Sequence, residues 1–126
     1  MTNRPKRVLV IDDDAGQLSL LRRVLQKAGF EVLTVDSPFG ATNAARRFQT
    51  DVILLDVNMP AIQGDQLVAV LRKNVSLKGA PIILFSASDE DVLRSLAIEV
   101  GADGWLRKTF EGEALKRGIL PFIRVG

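Results

Sequence analysis

The sequence predicts a single α/β domain in which a five-stranded parallel sheet is covered by helices on both faces. Five short apolar runs are spread along the 126 residues, and each is followed by a stretch whose apolar residues recur at helical spacing. The runs are apolar throughout rather than alternating, as in Val8-Leu9-Val10-Ile11 and Val52-Ile53-Leu54-Leu55, which is the pattern of strands buried on both faces. The length suits one domain, with one core burying about two thirds of the extended-chain surface. Strands alternating with helices then imply a parallel sheet joined by right-handed crossovers.

The elements follow in order. Residues 7–11 form β1 and end in Asp12-Asp13-Asp14. Leu18, Leu21, Leu25 and Ala28 keep helical spacing through α1 (about 15–28), which Gly29 closes as a C′ residue. Residues 30–35 make β2. Ser37 as N-cap and Pro38 at the first helical position open α2 (about 38–48), with Phe39, Ala44, Ala45 and Phe48. Residues 51–55 form β3, the loop 56–64 follows, and α3 (about 65–73) turns Leu67, Val68 and Leu71 inward. Residues 81–85 form β4. Ser88-Asp89-Glu90-Asp91 then reads as a reciprocal cap for α4, which runs to about residue 100. Gly101-Ala102-Asp103-Gly104 turns the chain into β5 (105–107), and α5 begins near Glu111. Leu115, Ile119 and Ile123 keep a four-residue apolar spacing, but Gly118 and Pro121 interrupt it. Pro121 removes an amide and crowds the carbonyl of Arg117, so a kink or an early stop is expected. The whole of 1–126 is expected to be one domain, with 1–6 a flexible lead.

Composition removes several function classes. With no cysteine and no histidine, disulfide scaffolds, thiolate metal sites and histidine catalysis are excluded, so any histidine chemistry must come from a partner. The longest apolar runs are far short of the roughly 20 residues that span a bilayer. The basic start, 1–7, leads straight into a strand rather than into a signal peptide, so a cytoplasmic protein without membrane contact is expected. Seventeen basic against fifteen acidic residues, scattered along the chain, do not indicate direct nucleic-acid binding.

The chemistry gathers at the carboxyl ends of the strands, where open parallel sheets bind their ligands. Asp12 and Asp13 follow β1, Asp56 follows β3, Ser86 follows β4 and Lys108 follows β5. If β1 and β3 are neighbours, three carboxylates share one small volume, and a hard divalent cation would relieve their repulsion. Magnesium suits such a site because it takes one or two carboxylates together with waters and phosphate oxygens; manganese would serve similarly. Asp56, alone at its strand end, is the candidate nucleophile toward phosphorus, with Asp12 and Asp13 as the metal platform. Lys108 and the Ser86 hydroxyl can neutralise and bind phosphoryl oxygens. Taken singly these residues have plainer readings: the three aspartates as a helix cap, Asp56 as a turn residue. Their convergence on one phosphate-and-metal site favours the chemical reading.

At these positions the chain resembles the response-regulator receiver domain of two-component signalling, chemotaxis regulators included, over nearly its full length. The motifs are Val10-Ile11-Asp12-Asp13-Asp14, Leu54-Leu55-Asp56-Val57-Asn58-Met59-Pro60 with Gly64, Phe85-Ser86-Ala87, and Gly101-Ala102-Asp103-Gly104-Trp105-Leu106-Arg107-Lys108. The resemblance implies a doubly wound (βα)5, flavodoxin-like sheet of strand order 2-1-3-4-5. It implies that Asp56 is the phosphoacceptor, that Asp12 and Asp13 with the main-chain carbonyl of Asn58 hold Mg2+ or Mn2+, and that Lys108 binds the phosphoryl group. Ser86 and Trp105 would be the switch pair, Trp105 standing where the family usually has Tyr or Phe; a half-buried strand residue is the plainer reading of Trp105.

The implied function is a phosphoprotein switch in a two-component phosphorelay. A sensor histidine kinase or histidine phosphotransfer protein donates to Asp56, and the face formed by α4, β5 and α5 changes for an unidentified output protein. Such a domain is no enzyme beyond metal-dependent self-phosphorylation and self-dephosphorylation, and a monomer or weak dimer is expected. The alternative is an adaptor of the same fold acting through protein–protein contact without phosphorylation. A phosphate-hydrolysing enzyme would want a second acid two residues after Asp56, where Asn58 stands, and no glycine-rich nucleotide loop follows β1. Thr109 departs from the family's proline after the lysine. That proline normally follows a cis bond, which before threonine would cost about 2.5–4 kcal/mol against less than about 1 kcal/mol for proline. Either the fold bears that cost or Lys108 is aimed differently, with altered phosphorylation kinetics expected.

Overall fold

The computed structural model describes residues 4–36, 41–56 and 80–123. Five strands, β1 (Arg7–Ile11), β2 (Glu31–Val35), β3 (Val52–Asp56), β4 (Ile82–Ser86) and β5 (Gly104–Arg107), form one parallel sheet in the order β2-β1-β3-β4-β5. The expected order and parallel pairing are both found. Helices α1 (Ala15–Lys27), α2 (Ala41–Phe48), α4 (Glu90–Val100) and α5 (Gly112–Ile119) are described. The expected α3, the caps Ser37 and Pro38, Phe39, and Asn58 lie outside the described residues.

Successive strand residues point to opposite faces, so each strand feeds two cores. Leu9, Ile11, Ile53, Leu55, Ile82 and Leu84 pack with Leu93 and Ala97 of α4. Val8, Val10, Val52, Leu54, Ile83 and Phe85 pack with Leu18, Leu21 and Leu25 of α1 and with Leu115 and Ile119 of α5. Burial on both faces is why the strands read as unbroken apolar runs.

At the amino edge of the sheet, Arg7 joins three elements. Its Nε donates to Glu31 Oε2 at 2.9 Å, its Nη1 to the Phe48 carbonyl and to Gln49 Oε1, both at 3.1 Å, and its amide to Asp51 Oδ2 at 2.8 Å. The guanidinium thereby satisfies a carbonyl at the end of α2, where cations are favoured.

Asp14 caps α1 by accepting the Gln17 amide at 3.0 Å, and Gly29 leaves the helix at φ 104°, open to glycine without cost. The reciprocal cap expected at Ser88 is not formed. Helix α4 starts one residue later, after Asp89, which makes no side-chain cap bond, because the Ser88 hydroxyl and amide are both taken by Ser86 Oγ at 3.1 Å.

The end of the chain resolves the conflict at Gly118 and Pro121. Helix α5 ends at Ile119, and Pro121 sits in a 3-10 turn, Leu120–Phe122, so the early stop is found. Gly118 has a packing reason: a Cβ there would lie 2.6 Å from Leu106 Cδ1. Gly104 has a stronger one, since a Cβ there would meet the Phe122 ring, with Cε1 at 2.6 Å. The 3-10 turn thus plugs the start of β5. Gly104→Ala should lower the unfolding free energy by about 1–3 kcal/mol through overpacking. Urea melts test this, and an unchanged midpoint would show that Phe122 does not hold that position.

Candidate functional site

Register carries the acidic residues together. Ile11 pairs with Leu55 on adjacent strands, so Asp12, one residue beyond Ile11, arrives beside Asp56, the last residue of β3. Carboxylate oxygens of Asp12, Asp13 and Asp56 lie within 4.8 Å of one another. The three neighbouring acids after β1 have separate fates. Asp14 caps α1, Asp13 is exposed, and Asp12 is 1% exposed. The capping reading of this triplet is therefore correct for Asp14 alone.

Asp12 Oδ1 accepts the Asp14 amide at 3.0 Å, forming an Asx turn that points the acid into the pocket. Its Oδ2 is buried with no hydrogen-bond partner among the described residues, and the Lys108 ammonium stands 3.9 Å away. A buried oxygen in that state is costly unless a cation or a proton serves it. Burial, reinforced by the nearby Asp56 carboxylate, pushes the Asp12 carboxyl up to about 6, against the opposing pull of the Asp14 amide and the Lys108 charge. The donor set, three hard carboxylates around one such oxygen, fits a hard divalent cation.

Lys108 comes from the far side. Its amide donates to the Ser86 carbonyl at 2.8 Å, holding the residue against the end of β4. Its Nζ lies 3.4 Å from Asp56 Oδ1 and donates to Gln17 Oε1 at 2.8 Å. All peptide bonds among the described residues are trans, Lys108–Thr109 included, so the lysine reaches the pocket along a trans chain. Thr109 has work of its own: its hydroxyl accepts the Glu111 amide at 3.2 Å, and Glu111 caps α5 by accepting the Ala114 amide at 3.1 Å.

Ser86 is fully buried at the end of β4, and its hydroxyl donates to Ser88 Oγ. Trp105 is half-buried on β5, packed against the core on the α4 side, with the Arg94 guanidinium 5.8 Å from its ring centroid. Gln17 is a pocket residue that sequence reasoning missed. Asp14-Ala15-Gly16-Gln17 carries a signature of a capping box, in which the glutamine would fold back on the cap; here it reaches across to Lys108.

Asp12, Asp13, Asp56, Ser86 and Lys108 thus lie at the carboxyl ends of β1, β3, β4 and β5, whereas Trp105 sits within β5 near its start. A family model for the response regulator receiver domain matches residues 8–119, and the chain belongs to that family. It is 33% identical over 124 residues to the DNA-binding response regulator MtrA of Mycobacterium tuberculosis, covering 98% of this chain and 53% of that protein. It is 29% identical over 119 residues to the alkaline phosphatase synthesis transcriptional regulatory protein PhoP of Bacillus subtilis, covering 94% and 49%. The chain spans about half the length of these curated relatives. Among solved structures it resembles the chemotaxis response regulator CheY4 of Vibrio cholerae, with a TM-score of 0.82, 31% identity, and 94% and 99% of the two chains covered. Receiver domains are signalling switches of two-component systems rather than true enzymes. No helix among the described residues is long and apolar enough to cross a membrane.

The raised carboxyl of Asp12 sets a sign for stability. A group whose pKa rises on folding is bound to more protons in the folded than in the unfolded chain between the two values. Without a cation, its contribution therefore favours folding below about pH 4 and is lost as pH climbs from about 4 to about 6. Asp12→Asn should raise the unfolding free energy at pH 7 by on the order of 1–3 kcal/mol and leave it nearly unchanged at pH 4. Urea melts of both proteins at the two pH values, in chelator, check this; equal differences at both would remove Asp12 as the cause.

Proposed function

We propose that Asp56 accepts a phosphoryl group from a partner phosphohistidine and that the resulting aspartyl phosphate switches the domain. The observation that carries this reading is the Asp56 carboxylate itself, 4% exposed, with an ammonium 3.4 Å from one oxygen and two further carboxylates beside it. The partner must supply the histidine, because this chain has none. A sensor histidine kinase or a histidine phosphotransfer protein fits that need.

In the transfer, an Asp56 oxygen bonds to phosphorus while the P–N bond breaks and its electron pair stays on the partner's imidazole. Asp12, Asp13 and Asp56 would hold Mg2+ or Mn2+, with the Asn58 main-chain carbonyl as the further ligand that the family resemblance implies. Bound there, such a cation would neutralise charge on the phosphoryl oxygens. Lys108 contributes a further positive charge 3.4 Å from Asp56 Oδ1, worth most where charge builds up during transfer. Asp12 must be ionised to take part, so low pH opposes metal binding.

After transfer, a dianion replaces a single carboxylate charge next to Ser86 and Lys108. The Ser86 hydroxyl then leaves Ser88 Oγ and donates to a phosphoryl oxygen. Loss of the Ser86–Ser88 bond loosens the turn before α4, and Trp105 moves inward as the α4-β5-α5 face rearranges for an output partner. That is a two-state equilibrium biased by a local charge.

Incubation with acetyl phosphate and magnesium should add one phosphoryl group by intact mass, and chelator or Asp56→Asn should abolish the gain. Absence of any gain in the wild type would favour the phosphorylation-independent adaptor. Lys108→Ala should slow the gain by about two orders of magnitude. Trp105 is the chain's one tryptophan, so its emission should change on phosphorylation, and Ser86→Ala should suppress that change without preventing the mass gain. An emission change that survives Ser86→Ala would break the proposed link between the two residues.

A further inference from the structure

We propose that Gln17 is the positioning residue for Lys108: its side-chain carbonyl holds the lysine ammonium over the acidic pocket and orients it for an incoming phosphoryl group. The second half of this inference rests on the phosphoacceptor reading of Asp56; the first half stands without it. Among the described residues, Lys108 Nζ lies 2.8 Å from Gln17 Oε1, against 3.4 Å to Asp56 Oδ1 and 3.9 Å to Asp12 Oδ2. Only the first of these is at the length of a strong charge-assisted hydrogen bond.

The placement is firm. Gln17 lies in the first turn of α1, and its own amide is pinned by the Asp14 cap at 3.0 Å. Its side chain is free of the usual capping-box duty and crosses to a residue 91 positions away. Lysine has a four-carbon stem and three donors on its ammonium. Gln17 takes one donor and fixes the ammonium, leaving two for the Asp56 side and for a phosphoryl oxygen.

The chemistry also explains why an amide rather than an acid suits this position. A glutamine carbonyl orients the ammonium without cancelling its charge, so Lys108 still attracts an anion. A glutamate there would hold the lysine as well or better, but would add a fourth carboxylate to the pocket and repel a phosphoryl donor. Glutamate is also favourable in the first turn of a helix and capable of closing the capping box, so its effect on stability and its effect on chemistry have opposite signs.

Two measurements test the proposal on the full chain. In nitrogen-15 NMR the Lys108 ammonium should give a slowly exchanging signal in the wild type that is lost in Gln17→Met, which keeps the side-chain length without the carbonyl. An unchanged signal overturns the proposal, whatever the protein's phosphorylation behaviour. With acetyl phosphate and magnesium, Gln17→Met should slow the mass gain by about tenfold, the scale of one hydrogen bond to a charged group. Gln17→Glu should slow it further while melting no lower than the wild type. In a Lys108→Met background, Gln17→Met should change the rate by less than about twofold, as expected for two residues acting through one contact. Equal rates for wild type, Gln17→Met and Gln17→Glu overturn the positioning role. A wild type that gains no mass overturns the reading of Asp56 instead, and the NMR signal still decides whether Gln17 holds Lys108.

Discussion

Two buried carboxylates at the ends of adjacent strands share one ammonium, and much of the site's arrangement follows from that sharing. Carboxylate charges within 4.8 Å repel by roughly 3.5 kcal/mol or more at an effective dielectric near 20. Lys108, 3.4 Å from Asp56 and 3.9 Å from Asp12, offsets part of this from one side. It leaves Asp12 Oδ2 without a hydrogen-bond partner among the described residues and the Asp12 carboxyl pushed upward. The pocket is thereby short of positive charge, which is the condition for taking up a cation.

The sheet makes such a pocket possible. In a parallel sheet all strands end on the same side, so residues from four separate strand ends converge without a long loop. The burial that protects Asp12, Asp56 and Ser86 comes from the same apolar layers that stabilise the fold. Burial at Asp12 works against the charged carboxylate, whose ionised form opposes folding unless a cation compensates it.

Beyond Asp56, the connections run through β4, β5 and the start of α4. Ser88, just before α4, bonds to Ser86 rather than serving as a helix cap, and Trp105 rests half-buried under Arg94. Exposed Val92 and Ile98 lie on α4, and Leu120 follows α5. At the Arg7 end of the sheet, one guanidinium ties β1 to β2 and α2.

Much of this was legible in the residues because it depends on short-range patterns. Apolar runs mark doubly buried strands, Gly29 and Gly101 mark helix ends with left-handed backbone at φ 104° and 78°, and the aspartate, serine and lysine fall just at the strand ends. The sequence alone therefore determined the layer architecture and the identity of the pocket's charged groups. Pairing across space was decided only by the tertiary structure. Asp12, Asp13 and Asp14 are alike as letters, but the turn at α1 buries the first, exposes the second and makes the third a cap. Ser88 had a cap pattern and lost it to Ser86, and Gln17 had a cap pattern and turned to Lys108. Polar side chains with several possible partners take the one that burial leaves unsatisfied, and burial is a property of the assembled sheet.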